Sequence, residues 1–265
     1  MHPVINIAVR AARSGARILL RYYEHTDALR IDEKSRNDFV TEVDRQAEQA
    51  IIAELRAKYP HHGILAEESG EHQGDEYQWV IDPLDGTTNY LHGVPQFAIS
   101  IALRYRGRLE HGVIYDPLRE ELFTASRGSG AQLNDRRLRV SQRVGLEGAL
   151  LGTGFPFRDQ RFVKEYLGMF EALLRDTAGI RRPGSAALDL AYVAAGRTDG
   201  FWELGLAPWD FAAGALLVQE AGGVVTDLAG GEGFFDTGNL VAGGLKVQGA
   251  LLKVIQPFLS ERLAA

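Results

Sequence analysis

Two aspartates and two threonines stand close together in residues 78–89, which read QWVIDPLDGTTN. The apolar run 79–81 predicts a buried strand that ends at Asp82. Pro83 would stop the strand pairing, and Asp85 with Gly86 would form the turn. Carboxylate and hydroxyl oxygens at this density are typical ligands of Mg²⁺, which leaves coordination positions for water and phosphate. The segment therefore predicts a magnesium site.

Other interpretations of this segment stay open or are excluded by spacing. Asp-Gly is also typical of a hairpin turn, which would leave Asp82 as a solvated strand end. From Thr87 onward the residues predict a helix start, whose free N–H groups would attract an anion. A calcium-binding loop is excluded, because its third and twelfth positions would be Leu84 and Gly93. The aspartate spacing also differs from the Asp-x-Asp pair that forms an aspartyl-phosphate, which favours a metal-activated water.

Further acidic residues follow apolar runs elsewhere in the chain. Glu67 follows the predicted strand 63–66, and Glu203 lies at the end of the predicted strand 200–204. Asp44 and Asp210 stand at predicted helix starts, where each carboxylate could serve the helix alone. Glu203 could equally be a surface charge. The run 181–187, RRPGSAA, opens another helix with glycine and a hydroxyl, a plausible anion or sugar contact.

Composition narrows the functional classes. The 265-residue chain is 45% hydrophobic, enough for a large core, and lacks a long apolar run or a signal peptide's apolar centre. The absence of cysteine excludes disulfides, thiolate nucleophiles and Cys-ligated zinc, and is compatible with a cytoplasmic location. A net charge of -6 argues against a generic nucleic-acid binder. Two arginine clusters are either solvated faces or contacts for RNA or a protein: Arg10, Arg13, Arg17 and Arg21, and Arg136, Arg137, Arg139 and Arg143.

The periodicity predicts a layered α/β architecture with a soft boundary near residue 145. Residues 1–145 would form an N-terminal α/β half that carries most metal ligands, and residues 146–265 a C-terminal half that completes the site. The two halves would interlock as one globular unit. The predicted helices are 3–23, a second from an N-cap at Thr41 until Pro60, 161–175, 185–196, 210–221 and 247–263. The predicted strands are 63–66, 79–81, 98–105, 109–115, 121–125, 149–152, 200–204 and 223–227.

Three segments together make the chain resemble the inositol monophosphatase family. They are AEES at 66–69, WVIDPLDGTTN at 79–89, and WDFAAG at 209–214 followed by EAGG at 220–223. The resemblance extends from the first helix to the last. Within the family, the N-terminal residues 1–13 and the run 181–197 are most similar to the bacterial SuhB branch.

The resemblance implies a five-layered α-β-α-β-α sandwich and Mg²⁺-dependent, lithium-sensitive hydrolysis of phosphate monoesters such as inositol 1-phosphate. Two to three Mg²⁺ ions would be held by Glu67, Asp82, the carbonyl of Leu84, Asp85 and Asp210. Glu67 and Thr87 would activate a water, with Asp44 orienting Thr87. The substrate contacts implied are Asp85, Gly86, Thr87, Gly184, Ser185, Ala186, Glu203 and Asp210, with Arg181 as an extra contact. Ser185 stands where threonine is common in the animal enzymes, which leaves the inositol preference open.

The resemblance also leaves other functions open. Related families hydrolyse histidinol phosphate, fructose bisphosphate or 3′-phosphoadenosine phosphate. The SuhB branch is associated with antitermination on ribosomal RNA genes through Nus factors and RNA polymerase, so the chain could act mainly as a binding protein in a transcription complex. Membership also implies a homodimer, although the residues themselves show no apolar stripe left over for an interface.

Overall fold

Two β-sheets and a short hairpin organise the computed structural model, which describes residues 2–23, 31–35, 38–156, 160–260 and 263. The helices are α1 (Pro3–Tyr23), α2 (Glu42–Arg56), α3 (Thr87–Leu91), α4 (Val163–Asp176), α5 (Ala186–Ala194), α6 (Pro208–Glu220), α7 (Phe234–Thr237) and α8 (Leu245–Ile255), with 3-10 turns at Gln160–Phe162 and Gln256–Phe258. The strands are β1 (Ile31–Ser35), β2 (Asp38–Thr41), β3 (Gly63–Ala66), β4 (Gly70–His72), β5 (Tyr77–Asp85), β6 (Ala98–Tyr105), β7 (Arg108–Asp116), β8 (Glu121–Ser126), β9 (Gly130–Leu133), β10 (Arg136–Arg137), β11 (Leu150–Thr153), β12 (Gly179–Arg181), β13 (Gly200–Glu203), β14 (Val224–Thr226) and β15 (Leu240–Gly243).

The larger sheet has eight strands in the order β10-β9-β8-β7-β6-β5-β3-β4, and the smaller has five in the order β12-β11-β13-β15-β14. Strands β1 and β2 pair separately as an antiparallel hairpin. Most neighbours in the sheets are antiparallel, whereas β3 and β5, and β11 with both β12 and β13, are parallel. The predicted boundary near residue 145 falls between β10 and β11, the last strand of one sheet and the first of the other.

Five layers follow from the two faces of each sheet. Side chains alternate along a strand: in β5, Trp79 and Ile81 pack against α1 and α2, whereas Val80 faces α5 and α6. In β13, Phe201 faces the same central helices, and Trp202 packs against α4 and α8. The architecture is therefore the five-layered α-β-α-β-α sandwich expected, with α5 and α6 forming the middle layer.

Helix α1 confirms the amphipathic pattern of its sequence. Its buried residues include Ile5, Ala12 and Leu19, which face the large sheet. All four of its arginines are exposed on the other side. None of the described helices is both long enough and apolar enough to cross a membrane.

Two element boundaries differ from the sequence prediction. Strand β5 does not stop at Pro83 but continues to Asp85 through a bulge between Asp82 and Asp85. The bulge takes Pro83 out of the regular ladder, so its missing N–H costs no pairing there. The closing helix, predicted for 247–263, ends at Ile255, and a 3-10 turn that contains Pro257 follows it.

Candidate active site

A cleft of about 960 Å³ opens at the ends of β3, β5, β11 and β13. The first residues of α3, α5 and α6 also border it. The residues that line the cleft include Glu67, Asp82, Leu84, Asp85, Gly86, Thr87, Thr153, Gly154, Phe155, Arg161, Arg182, Gly184, Ser185, Ala186, Asp189, Glu203 and Asp210. The structure thus brings most of the predicted site residues together from both sheets.

Three carboxylates form the centre of the cleft. Asp82 and Asp85 lie at the end of β5 and Asp210 lies in the first turn of α6; one carboxylate oxygen from each lies within 4.8 Å of the others. Asp82 is 1% exposed, and the other two are 8% exposed. Like charges at this distance repel each other strongly inside a protein, unless protons or a cation compensate them.

The pKa shifts express this repulsion. Burial raises the pKa of Asp82 well above its ordinary value, and the charges of Glu67, Asp85 and Asp210 raise it further. Burial also raises the pKa of Asp85 to about 6, although hydrogen bonds from Ser185 and Ala187 oppose the shift. Clustered, partly desolvated oxygens of this kind are the donor set that a hard divalent cation prefers. The residues present therefore fit Mg²⁺.

Hydrogen bonds fix the orientation of each carboxylate. Oδ1 of Asp82 accepts from the N–H of Leu84 at 2.9 Å, inside the bulge. Oδ2 of Asp210 accepts from the N–H of Ala207 at 2.8 Å, which ties the carboxylate to the start of its own helix. Pro208 at the first helical position supplies the fixed φ with which α6 begins.

Asp85 connects the two halves of the site. Its Oδ2 accepts from Ser185 Oγ at 2.6 Å and from the N–H of Ala187 at 2.7 Å. Ser185 is the N-cap of α5, and its hydroxyl also accepts from the N–H of Leu188 at 3.4 Å. The start of α5 is therefore held directly against the end of β5.

Thr87 faces the cleft and has two acceptors for one proton. Its Oγ1 lies 3.1 Å from the carbonyl of Leu84 and 3.3 Å from Oδ1 of Asp44. Asp44 is buried in the first turn of α2 and does not line the cleft, so it acts through Thr87. Donation to either acceptor leaves lone pairs of Oγ1 available to the cleft.

Glu67 is half-buried and lines the cleft where β3 ends. Its N–H donates to the carbonyl of Ile81 at 3.2 Å, which holds it beside β5. The next two residues are anchored by Glu48, whose carboxylate accepts from the N–H groups of Glu68 and Ser69 at 2.8 and 2.9 Å. Glu48 was missed in the sequence, where it is one of several acidic positions in α2.

Two glycines, Gly86 and Gly184, allow neighbouring backbone segments to approach each other closely at the cleft. Gly86 has φ 99°, and a Cβ there would lie 2.8 Å from the carbonyl of Gln96. Gly184 has φ 93°. The amide of Asn89 donates to the carbonyls of Gln96 and Pro183 at 2.8 Å each, which joins these two glycine segments.

The prediction for Arg181 requires a correction. Arg181 is exposed, its Nη1 donates to the carbonyl of Ile180 at 3.3 Å, and it does not line the cleft. Arg182 lines the cleft instead, with its guanidinium 5.1 Å from the ring centre of Phe155. Neighbouring residues at the end of a strand point to different sides, so the run Arg-Arg did not indicate which one faces inward.

Asp189 and Arg161 also line the cleft and were missed. Asp189 follows Ser185 by one helical turn on α5, a spacing that places both residues on the same helix face. That periodicity was the available signal for Asp189. Arg161 lies in the 3-10 turn before α4, within the segment predicted as helix.

Comparisons with known proteins agree with this geometry. The profile of the inositol monophosphatase family matches residues 1–260. A Pseudomonas aeruginosa protein named Nus factor SuhB is 60% identical over 269 residues, with 99% of each chain covered. The crystal structure of extragenic suppressor protein SuhB from Bartonella henselae superposes with a TM-score of 0.94 at 47% identity, covering 96% of this chain and 99% of that one.

A fourth comparison concerns a structure named for the enzyme. The inositol monophosphatase from Anabaena superposes with a TM-score of 0.84 at 39% identity, covering 95% of this chain and 94% of that one. Identity of this extent along the whole chain accompanies a shared fold. The chain therefore belongs to the inositol monophosphatase family.

Proposed function

We propose that this chain is a Mg²⁺-dependent phosphomonoesterase that hydrolyses inositol 1-phosphate and similar small polyol phosphates. The observation that carries the proposal is the cluster of Asp82, Asp85 and Asp210 in a cleft that is lined by further polar residues. Family membership supports a phosphatase. That the metal is Mg²⁺ and that the substrate is a small polyol phosphate are our proposals.

Glu67, Asp82 and the carbonyl of Leu84 would hold one Mg²⁺ ion. A second ion would be held by Asp82, Asp85 and Asp210, and Glu67 would contribute to a weaker third. When bound, Mg²⁺ supplies positive charge that neutralises the phosphate and acidifies water.

The protein groups would then provide proton transfer and orientation. Thr87 would donate its hydrogen bond to Asp44 or to the carbonyl of Leu84, so that its oxygen can accept a hydrogen bond from the attacking water and orient it. Glu67, which also lines the cleft, would take up the proton that the water loses as its oxygen bonds to phosphorus. The P–O ester bond breaks in line, and the leaving alkoxide is protonated from solvent. No phosphoenzyme forms.

Backbone groups would bind the phosphate. Residues on the side of the cleft away from the acidic cluster would bind the alcohol part of the substrate. The N–H groups of Gly86 and Thr87 are candidates for the phosphate, because both residues line the cleft beside the acidic cluster. The candidate contacts for the alcohol are Asp85, Gly184, Ser185, Ala186, Glu203 and Asp210. Arg182 replaces Arg181 as the arginine near the bound alcohol.

The experiment is phosphate release from inositol 1-phosphate by the purified protein, with and without millimolar Mg²⁺. Asp82→Asn is expected to abolish the Mg²⁺-dependent release. Asp176→Asn makes the same chemical change at the exposed end of α4 and is expected to keep it. Folded wild-type protein that releases no phosphate would contradict the proposal.

Substrate comparison and lithium inhibition test the finer assignment. Turnover of inositol 1-phosphate is measured beside that of histidinol phosphate, fructose bisphosphate and 3′-phosphoadenosine phosphate. A preference of about tenfold or more for a bisphosphate would replace the inositol assignment. Inhibition by lithium chloride but not by sodium chloride is expected.

We propose a second role in ribosomal RNA antitermination with Nus factors and RNA polymerase. The observation that favours it is the similarity to proteins named Nus factor SuhB along 99% of the chain. The exposed arginines of α1 are the candidate contact surface. Arg10 is already paired with Glu54 of α2 at 2.8 Å, so Arg13 and Arg17 are the better positions to change.

Two variants separate the roles in a strain that lacks its own SuhB gene. If the binding role matters for growth, Asp82→Asn rescues growth without phosphatase activity, and the double change of Arg13 and Arg17 to Glu keeps phosphatase activity but fails to rescue. If catalysis matters, the pattern is reversed. Rescue by both variants would remove the α1 arginines as the contact surface.

A further inference from the structure

One buried carboxyl in the cleft has no role in the mechanism above. Asp189 lies on α5, is 2% exposed and lines the cleft. Its backbone N–H donates to the carbonyl of Ser185 at 3.0 Å, but its carboxyl accepts no hydrogen bond from any residue within the described ranges. A buried polar side chain normally has a partner, and among the described residues this carboxyl has none, which leaves it available to a ligand in the cleft.

The surroundings of Asp189 favour its neutral form. Burial raises the pKa of the Asp189 carboxyl well above its usual range, and the charges of Glu203 and Asp85 raise it further. Arg182 has a smaller, opposing effect. A protonated carboxyl can donate one hydrogen bond and accept others, as a hydroxyl can.

Two glycines, one in β11 and one directly after it, lie beside the carboxyls of Asp189 and Glu203, on the side of the cleft away from the acidic cluster. A Cβ at Gly154 would lie 1.8 Å from Oε1 of Glu203, so a larger residue there would displace the Glu203 carboxylate from its present position. The Cβ position of Gly152 lies 3.6 Å from Oδ1 of Asp189, so β11 passes directly beside that carboxyl. Strand β11 therefore borders a polar recess that contains Asp189 and Glu203.

Stability does not explain why an unpartnered acid is retained here. Burial of a polar group without a hydrogen bond lowers stability, and an apolar residue of similar size would pack as well. Groups that reduce stability and face a cleft are typical of binding sites.

We propose that Asp189 is a specificity-determining residue that binds a hydroxyl of the alcohol part of the substrate. The inference rests on the proposed phosphomonoesterase activity and assigns it a substrate class: esters whose alcohol carries a further hydroxyl at the side of the cleft away from the acidic cluster. A hydroxyl both donates and accepts, which matches the neutral acid, and it carries no charge that would require compensation.

The experiment compares two esters and two variants in the full-length protein with Mg²⁺. Inositol 1-phosphate offers hydroxyls, whereas phenyl phosphate has none on its alcohol. Asp189→Ala is expected to raise KM for inositol 1-phosphate by about tenfold or more, with kcat changed less than about threefold. For phenyl phosphate, kcat/KM is expected to change less than about twofold.

Asp189→Asn is the matched control, because an amide keeps a donor and an acceptor in the same space. It is expected to keep KM for inositol 1-phosphate within about threefold of the wild-type value. The Tm of Asp189→Ala is expected to be no lower than that of the wild type, which separates a binding role from a structural one.

The outcomes distinguish this inference from the proposed function. Equal losses on both esters, or a KM for inositol 1-phosphate unchanged in Asp189→Ala, would overturn the assignment of Asp189 while leaving the phosphatase in place. A fall in kcat with KM unchanged would overturn it as well. Wild-type protein that hydrolyses neither ester would overturn the proposed function and, with it, this inference.

Discussion

Asp82 occupies a position that its charge alone makes unfavourable. It is 1% exposed, and three other carboxylates act on it. Buried like charges persist in a fold where a ligand compensates them, because otherwise their repulsion reduces stability. The loss of stability caused by this repulsion is therefore a property of the metal-free protein. It can be measured by unfolding experiments without any assay of activity.

We expect Asp82→Asn to stabilise the metal-free protein and to remove its response to Mg²⁺. The amide oxygen can still accept from Leu84, while the charge is gone, so the free energy of unfolding should rise by on the order of 1 kcal/mol. Thermal unfolding with and without Mg²⁺ measures both effects. An equal Mg²⁺-induced rise in Tm in the variant and in Asp176→Asn would contradict the assignment of Asp82.

Asp85 predicts how metal binding depends on pH. Its pKa is about 6 in the folded protein, against an ordinary value of 3.8. The folded chain then binds more protons than the unfolded chain, so this group's contribution to stability is complete below about pH 4 and is lost as the pH rises through about 6. Mg²⁺ must displace these protons in order to bind.

We therefore expect Mg²⁺ binding to release more protons at about pH 6 than at about pH 8. Calorimetric titrations in two buffers with different protonation enthalpies give the number released at each pH. In Asp85→Asn the difference between the two pH values should shrink. A release that does not vary with pH would contradict the coupling.

At this scale the sequence indicated the acidic residues but not all their partners. The strand ends at Glu67 and Asp82 follow from apolar runs that stop at a carboxylate. Whether Arg181 or Arg182 faces the cleft depends on how β12 meets the other elements, which local sequence does not encode. Asp189 was missed for the same reason. Helix periodicity shows that Asp189 and Ser185 share a face of α5, but it does not show that this face borders the cleft.

At the scale of elements, Ser185 joins the start of α5 to the end of β5. Its hydroxyl donates to Asp85 and accepts from Leu188. Ser185→Ala should therefore lower the free energy of unfolding by about 1–3 kcal/mol, from the lost helix cap and the lost bond to a carboxylate. Urea unfolding measures the change. Ser185→Thr keeps the hydroxyl and should recover most of it; equal losses in both variants would show that the hydroxyl is not the cause.

The close contact of α5 with α6 depends on Gly214. A Cβ at that position would lie 2.5 Å from Cβ of Leu190, on the facing helix. Gly214→Ala should cost about 1–3 kcal/mol of overpacking, which exceeds the gain of up to about 1 kcal/mol in helix propensity.

Gly249 provides the matched control, because it lies within α8 and, apart from its chain neighbours and the backbone of its own helix, no described atom is within 4 Å of its Cβ position. Gly249→Ala should stabilise the protein by about 0.5–1 kcal/mol, since only the propensity changes. Urea unfolding of the two variants gives the comparison. Changes of the same sign would contradict the tight α5–α6 packing.

Elements that contain an apolar run could be predicted, whereas short strands without one could not. Strands β3 and β6 match the predicted ranges 63–66 and 98–105, because each contains a nearly continuous run of buried residues, most of them apolar. Strands β4 and β12 have three residues each and no buried apolar run. They form because a neighbouring strand offers hydrogen bonds, and that is tertiary information.

At the scale of the whole molecule, the helices of the middle layer join the two sheets into one apolar core. Phe211 and Leu217 of α6 pack with Ile114 of the large sheet and Ala242 of the small sheet in one apolar cluster. The backbone approach is close, since a Cβ at Gly112 of β7 would lie 3.1 Å from the carbonyl of Ala213. The inner face of the large sheet is thus covered by a helix that follows it by about a hundred residues in sequence.

The homodimer stays a prediction at this scale. Leu167 and Leu174 are seven residues apart on α4 and are 58% and 52% exposed, which gives one apolar strip on the outer helical layer. Light scattering of the purified protein gives its mass in solution. Leu167→Glu should lower that mass by half if this strip is the interface, whereas a monomeric wild type would contradict the dimer.

The division near residue 145 also stays a prediction. Because both sheets pack against α5 and α6, we expect that neither half folds without the other. We expect the full chain to unfold in a single calorimetric transition, because neither sheet keeps a complete core without α5 and α6. Residues 1–145 alone should show no cooperative thermal unfolding by circular dichroism, since the inner face of the large sheet would be exposed to water. Co-expression with residues 146–265 is the control, because it returns the missing helices and should restore a single transition. A fragment 1–145 that unfolds cooperatively by itself would mean that the large sheet with α1 and α2 is an autonomous domain, and that α6 only docks onto it.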